Sequence, residues 1–323
     1  MLGIAILDDY QHVALDMADW SKLGSDVELA FFDTHIADLD EAAEALADFE
    51  VLVFMRERMN FPRALIERLP KLRYVVFTGS HSTVIDFAAL AERGIPASRT
   101  GARASPGAAE LTWALLLACA RYIPREDAAM RAGGWQTSIG TTLRGKTLGV
   151  LGLGTLGRLV AGYGKAFGME VIAWSQNLTA EKARDGGATL VTRDEIFRRS
   201  DALTIHLKLG PRTRGLIGAA EFALMKPSAI LINTSRGPIV DEAALVAALR
   251  ESRIRSAGLD VFDIEPLPTA HPLRRLDNAV LAPHLGYVTE DSYREFYKVV
   301  VEAILAWRAG APINLYDPGM RSE

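Results

Sequence analysis

Thr147-Leu-Gly-Val-Leu-Gly152-Leu-Gly154-Thr-Leu-Gly157 is the stretch whose reading decides the fold. The apolar run from Thr147 to Leu151 predicts a strand that ends in three spaced glycines, and Leu156 to Phe167 reads as the helix that follows. Each glycine has its own mechanical task in such a strand–turn–helix. Gly152 permits the tight turn, Gly154 lets the backbone approach a pyrophosphate, and Gly157 lets helix and strand pack closely. Unpaired N–H groups where the helix opens, at Thr155 and Leu156, then face the anion. A glycine-rich turn is common by itself. Set between a strand and a helix, with more β/α units behind it, it points to a bound dinucleotide.

Downstream of Lys146 the alternation predicts strands at 147–151, Glu170–Trp174, Ala202–Leu207, Ala229–Asn233, Ser256–Asp260 and Ala279–Leu281. Helices are expected at Leu156–Phe167, Asp194–Arg199, Ala219–Met225 and Glu242–Glu251, with Thr192 and Glu195 at capping-box spacing. This is the rhythm of a doubly wound α/β sheet. Residues 1–100 alternate in the same way but carry no phosphate-binding glycine pattern. Strands are predicted there at Gly3–Leu7, Val27–Phe32, Val51–Phe54, Tyr74–Phe77 and Ile95–Ala97, and helices at His12–Leu23, Leu39–Ala47, Pro62–Arg68 and Asp86–Arg93.

Between these halves lie a loop of small residues, Thr100 to Gly107, and an apolar helix, Ala108 to Tyr122, with Pro124 beyond it. The polar segment from Arg131 to Leu143 has weak periodicity and is expected to wrap over another body, such as a second subunit. A long amphipathic helix, Thr289 to Arg308, follows the last strand and could return to the first domain. The expected division is therefore 1–100 with 289–323 as one domain and 101–288 as the other.

Composition bounds the partners. A chain of 323 residues that is 49% hydrophobic and 24% charged suits a globular protein with two cores. A net charge of −4 offers no footprint for nucleic acid. The N-terminus lacks a basic lead-in and meets Asp8 and Asp9 early, and the apolar run Leu111–Ala120 is about half a membrane span, so a cytoplasmic protein without a membrane partner is expected. Cys119 is the single cysteine, in an apolar helical run, and reads as a buried thiol. No His/Cys/Asp grouping has metal-ligand spacing.

In an open parallel sheet, ligands lie outside the carboxyl ends of the strands. In the second domain those ends carry Asn233-Thr234-Ser235-Arg236-Gly237, then Asp260 running on to Glu265-Pro266, then Pro283-His284. Singly, each has an ordinary explanation: an ion pair, a helix cap, a loop carboxylate, a surface histidine. Together they suit hydride transfer to a carbonyl. A histidine held against a carboxylate can give a proton to the forming alkoxide, and an arginine offers a two-pronged fork to a carboxylate. Asp260 is placed to accept from a nicotinamide carboxamide, and His206, at the third strand's end, to shape the cofactor pocket.

With these residues in view, nearly the whole chain resembles the D-isomer-specific 2-hydroxyacid dehydrogenases. The likeness rests on the glycine turn at 152–157, Asn233-Thr-Ser-Arg236-Gly237, Gly258-Leu-Asp260-Val-Phe with Glu265-Pro266, and Pro283-His284. It implies a Rossmann dinucleotide-binding domain inserted into a discontinuous flavodoxin-like substrate domain, usually in a homodimer. It further implies that Arg236 orients a 2-oxo acid, Glu265 supports the histidine, and His284 is the acid/base. Arg56, Gly79 and Ser80 would reach the substrate from the first domain, in a cleft that closes against water. Glutamate at 265, where formate dehydrogenases of this superfamily carry glutamine, argues against formate.

Two departures bear on specificity. An acidic residue is expected about 20 residues past the glycine turn, to bind the ribose 2′-OH. Trp174 is followed instead by Ser175 and Gln176. Loss of the acid removes repulsion against a 2′-phosphate, so NADP is slightly favoured over NAD and dual use is allowed. His81 stands where small or polar residues are common, either as a specificity determinant or as a surface histidine. Two rival functions stay open: oxidation of another small anion such as phosphite, and a catalytically silent dinucleotide sensor.

Overall fold

The computed structural model describes residues 1–101 and 106–317. The chain divides into two compact units, Met1–Arg103 with Thr289–Glu323, and Ala104–Val288.

Unit 1 holds a five-stranded parallel sheet of β1 (Leu2–Ile6), β2 (Val27–Phe31), β3 (Val51–Phe54), β4 (Tyr74–Phe77) and β5 (Ala97–Arg99) in the order β2-β1-β3-β4-β5. This is the flavodoxin-like order. All residues of β3 and β4 are buried, as expected of strands covered on both faces, so apolar runs rather than alternation mark them. Helices α1 (Leu39–Leu46), α2 (Arg63–Ile66) and α3 (Phe87–Glu92) connect the strands. The helix expected over 12–23 is instead two 3-10 turns, Ala14–Met17 and Trp20–Leu23. The Asp9 carboxylate caps the first turn by accepting from the N–H groups of Val13 and Ala14. Ala18 is extended (φ −149°, ψ 163°), and the Ala14 carbonyl, which a continuous helix would offer to the Ala18 N–H, accepts from Trp20 Nε1 at 2.8 Å instead.

Unit 2 holds a seven-stranded parallel sheet of β6 (Thr147–Leu151), β7 (Glu170–Trp174), β8 (Thr189–Leu190), β9 (Ala202–Ile205), β10 (Ile230–Asn233), β11 (Ser256–Leu259) and β12 (Ala279–Leu281). Its order, β12-β11-β10-β9-β6-β7-β8, reverses direction between β6 and β9, which makes the doubly wound switch point at the end of β6. One face is covered by α4 (Gly107–Arg121), which packs on β10, β11 and α6 (Thr155–Ala166). The other is covered by α8 (Arg193–Arg199), α9 (Ala219–Leu224) and α10 (Glu242–Arg250). The Thr192–Glu195 capping box opens α8 in both directions.

Three elements differ from expectation. A further helix, α5 (Ile123–Arg131), starts where Pro124 was read as a stop, because Tyr122 turns left-handed (φ 54°) and proline suits a first helical turn. Helix α7 (Ala180–Asp185), capped by Thr179, and the two-residue β8 add a β/α step too short for the apolar pattern to reveal. Residues 132–143 form an irregular arm pinned to α5 by Glu126, whose carboxylate accepts from Thr137 N, Thr137 Oγ1 and Ser138 Oγ. Of the small-residue loop expected from Thr100 to Gly107, residues 102–105 lie outside the described residues.

The last helix, α11 (Glu290–Arg308), belongs to unit 1, where it packs on β4 and both 3-10 turns. Trp307 stacks on Tyr74 with ring centroids 4.9 Å apart. Among the described residues no helix is long and apolar enough to cross a membrane, and no group of three or more His, Cys, Asp or Glu could hold a metal.

Candidate active site

The glycine turn behaves as three separate constraints. Gly152 has φ 95°, and a Cβ there would lie 2.6 Å from the His206 carbonyl oxygen, so β6 and β9 exits touch through it. A Cβ on Gly157 would meet the Gly152 carbonyl oxygen at 2.0 Å, which leaves no room for a side chain where α6 crosses the turn. Gly154 has no protein atom within 4 Å of its would-be Cβ. It is exposed and caps α6 without a side-chain hydrogen bond, leaving the helix's first N–H groups to solvent beside Thr155 and Leu156. Protein packing does not require a glycine at 154, and the open space there fits an approaching pyrophosphate.

Around the turn, Ser175 follows β7 directly and Gln176 is exposed beside it, with no carboxylate at that strand end. His206 follows β9, its Nε2 3.1 Å from Thr204 Oγ1, and desolvation pushes its pKa down to about 4, so it is neutral at ordinary pH. Thr234 Oγ1 shares a 2.7 Å hydrogen bond with Thr112 Oγ1 on α4.

Three loops then converge at the ends of β10, β11 and β12. The buried Asn233 shapes the first, accepting from Ser235 N at 3.0 Å and donating through Nδ2 to the Arg236 carbonyl at 3.0 Å. Arg236 is half-buried, with Nη1 donating to the Ser235 carbonyl at 2.7 Å. Its neighbour Gly237 lies against the second loop, where a Cβ would come within 2.1 Å of the Phe262 carbonyl carbon. Only glycine lets the arginine loop and the Glu265 loop approach this closely.

Glu265 uses both oxygens. Oε1 accepts from Phe262 N at 2.8 Å, and Oε2 stands 2.5 Å from His284 Nδ1. The Glu265–Pro266 peptide is cis. His284 has φ 56° and a side chain 27% exposed, against 32% for Glu265, so the pair is open to a ligand on one side. Tyr287 meets the imidazole edge to face, with centroids 5.6 Å apart.

Asp260 is fully buried, and its carboxylate accepts from Leu285 N at 2.6 Å and Gly286 N at 3.0 Å. The residue suggested as a carboxamide acceptor thus also anchors the loop that carries His284. Burial pushes its carboxyl up to about 6, with the Leu285 N–H, nearby His284 and the Gly286 N–H pulling the other way.

Unit 1 gathers its own set at the carboxyl edge of its sheet. Arg56, at φ 56°, takes Thr78 Oγ1 through its backbone N–H at 2.8 Å. Its guanidinium lies over Gly79, where a Cβ would be 1.9 Å from Nη1. Ser80 is held by Arg99, whose Nη1 donates to the Ser80 carbonyl at 3.1 Å, and Ser80 Oγ lies 3.2 Å from His81 Nδ1. His81 is exposed.

The structure brings Arg236, Glu265 and His284 onto neighbouring loops, as it does Gly152, Gly154 and Gly157 onto one turn. Sequence reasoning missed Tyr287 and Thr112, and, although it quoted Thr234, Gly237 and Phe262 in its motifs, it did not foresee the Thr112–Thr234 hydrogen bond or the packing of Gly237 on Phe262.

A family model described as "D-isomer specific 2-hydroxyacid dehydrogenase, NAD binding domain" matches residues 113–286. Glyoxylate reductase of Aeropyrum pernix is 41% identical over 263 residues, covering 78% of each chain. D-3-phosphoglycerate dehydrogenase of Methanocaldococcus jannaschii is 40% identical over 268 residues, 82% of this chain and 51% of that one. The chain therefore spans about half the length of that relative. The solved structure of phosphoglycerate oxidoreductase from Vibrio cholerae O395 superposes with a TM-score of 0.91 at 34% identity, over 96% of this chain and all of the other. With a family model over more than half its length and relatives of this identity, the chain belongs to the D-isomer specific 2-hydroxyacid dehydrogenase family.

Proposed function

We propose that the protein is an NAD(P)-dependent D-2-hydroxyacid dehydrogenase that works as a 2-oxoacid reductase. The observation that carries this reading is the 2.5 Å contact between Glu265 and His284 beside the Arg236 loop. A bound nicotinamide cofactor would supply the hydride chemistry at C2 of the substrate. Glu265, accepting the Nδ1 proton, fixes the imidazole tautomer and leaves Nε2 to exchange the proton at the C2 oxygen. Arg236 orients the substrate carboxylate and polarises the adjacent carbonyl. Arg56, Gly79 and Ser80 form the substrate-binding set of unit 1.

Gly152, Gly154, Thr155, Leu156 and Gly157 would hold the cofactor's pyrophosphate, and Ser175, Gln176, His206 and Thr234 would surround the rest of it. Asp260 contributes to the carboxamide through lone pairs not taken by Leu285 and Gly286. With Ser175 where an acid would select NAD, the reading slightly favours NADP and allows both.

A homodimer is part of the proposal. Ile123, Met130, Trp135 and Ile139 are 56%, 63%, 74% and 91% exposed along α5 and the arm, an apolar run that a second copy would cover. Sedimentation showing only monomer at micromolar concentration would remove this element.

The test of the function is oxidation of NADH and NADPH, separately, with glyoxylate, hydroxypyruvate, phosphohydroxypyruvate, pyruvate and phenylpyruvate. His284→Ala is expected to abolish turnover and leave cofactor binding nearly intact. Unchanged turnover in that variant overturns the assignment, and cofactor binding without turnover of any acid by the wild type points to a sensor.

A further inference from the structure

The structure assigns a positioning role to Glu242 and His271, which rests on the functional reading above. Arg236 and Glu265 sit on separate loops, and a catalytic pair so divided must be held to a fraction of an ångström. Glu242 is the first residue of α10, the helix into which the Arg236 loop runs. Its Oε1 stands 2.9 Å from His271 Nε2, and its Oε2 accepts from Asp263 N at 3.3 Å. One carboxylate thus takes both ends of the segment 263–271, which carries Glu265 and Pro266 between them.

The direction of these bonds is set by His271 itself. Its Nδ1 accepts the backbone N–H of Leu273 at 3.3 Å, capping the 3-10 turn Pro272–Arg275. A ring that accepts at Nδ1 carries its proton on Nε2 and donates to Glu242. The carboxylate is enclosed enough to matter, since the Glu242 and His271 side chains are 20% and 18% exposed. Arg274, in the 3-10 turn just past the segment, donates to the Leu267 carbonyl at 2.6 Å and the Pro268 carbonyl at 3.0 Å, which ties the middle of the segment to that turn. Asp241, Asp263 and Arg214 are the other charged groups in this neighbourhood, and burial raises the Asp263 carboxyl above its ordinary range, with Glu242 next in effect. The His271 ring at Nε2 and the backbone N–H of Asp263 are what Glu242 holds here.

The hydrogen bonds of Glu242 go to His271 and Asp263, so its effect passes through the geometry of the loops they belong to. Glu242→Ala is expected to lower kcat by about tenfold or more on the best 2-oxo acid of the panel, with KM for that acid and cofactor affinity changed less than about threefold. His271→Asn is the second variant. Asparagine can keep the cap on Leu273 but is too short to reach Glu242, so it removes the clamp while sparing the turn. It is expected to lower kcat in the same direction.

The deciding measurement places each substitution on a Glu265→Gln background. If Glu242 and His271 act by aiming Glu265, their penalty in kcat shrinks to less than about twofold there. A full penalty on that background, or wild-type kcat in both single variants, overturns the assignment. Absence of turnover by the wild type with every acid would instead defeat the functional reading, and the two failures are distinguishable.

Discussion

His284 Nδ1 and Glu265 Oε2 lie 2.5 Å apart, although the residues come from the ends of different strands and 19 positions apart in the chain. Glu265 is itself anchored by the Phe262 N–H on its other oxygen, so the carboxylate cannot swing freely from the imidazole. Glu265→Gln keeps the size and one acceptor but removes the charge that stabilises an imidazolium. The expected outcome is a fall in kcat of about 10²-fold with cofactor affinity unchanged, measured by steady-state kinetics and cofactor titration. A loss below threefold would show that the contact does not serve the reaction.

The glycines of the turn should separate folding from binding. Gly157→Ala puts a methyl 2.0 Å from the Gly152 carbonyl oxygen and is expected to destabilise the protein by at least ~2 kcal/mol in urea unfolding. Gly154→Ala meets no protein atom within 4 Å. It should cost less than about 1 kcal/mol yet weaken cofactor binding about tenfold. Equal effects of the two on stability would refute the division.

The proposed function puts cofactor choice at the end of β7. Ser175→Asp restores a carboxylate that accepts from a ribose 2′-OH and repels a 2′-phosphate. The ratio of kcat/KM for NADPH over NADH should fall by at least about tenfold. A ratio that stays put would move the 2′ site away from residue 175.

His206 and Asp260 predict opposing responses to acid. His206 is held at about 4 against an ordinary 6.5, so the folded state binds its proton less tightly than the unfolded one, and stability falls as pH drops from about 6.5 towards 4. Asp260, raised to about 6 from 3.8, binds a proton more tightly when folded and adds stability over much of the same window. Replacing His206 with asparagine should remove a loss of at most about 2 kcal/mol between pH 7 and pH 5. Urea unfolding of cofactor-free wild type and variant at the two pH values tests this, and parallel pH responses would contradict it.

Much of the scaffold was legible because buried parallel strands write themselves as apolar runs. Val51–Phe54, Tyr74–Phe77, Thr147–Leu151, Glu170–Trp174 and Ala279–Leu281 fall in the structure where the pattern placed them. The segment 12–23 did not, because Ala18 is extended and the Trp20 indole, a side chain the helical pattern counts only as apolar, takes the Ala14 carbonyl. Helix α5 was hidden by Pro124, which reads as a stop after one helix and serves as a start for the next.

The amino-acid sequence by itself determined that glycines at 152, 154 and 157 follow a strand, and that Arg236, Glu265 and His284 stand past the ends of later ones. Those facts are local, written in spacing and residue type. The resemblance offered Glu265 as the partner of His284, and the tertiary structure supplies the contact; only the tertiary structure decided that Asp260 binds the backbone of Leu285 and Gly286 and that Gly237 lets Phe262 pack against the arginine loop. Each joins residues from different crossovers. A carboxylate at a strand end reads the same in sequence whether it meets a ligand, a histidine or a neighbouring loop, and the packing of the sheet makes the choice.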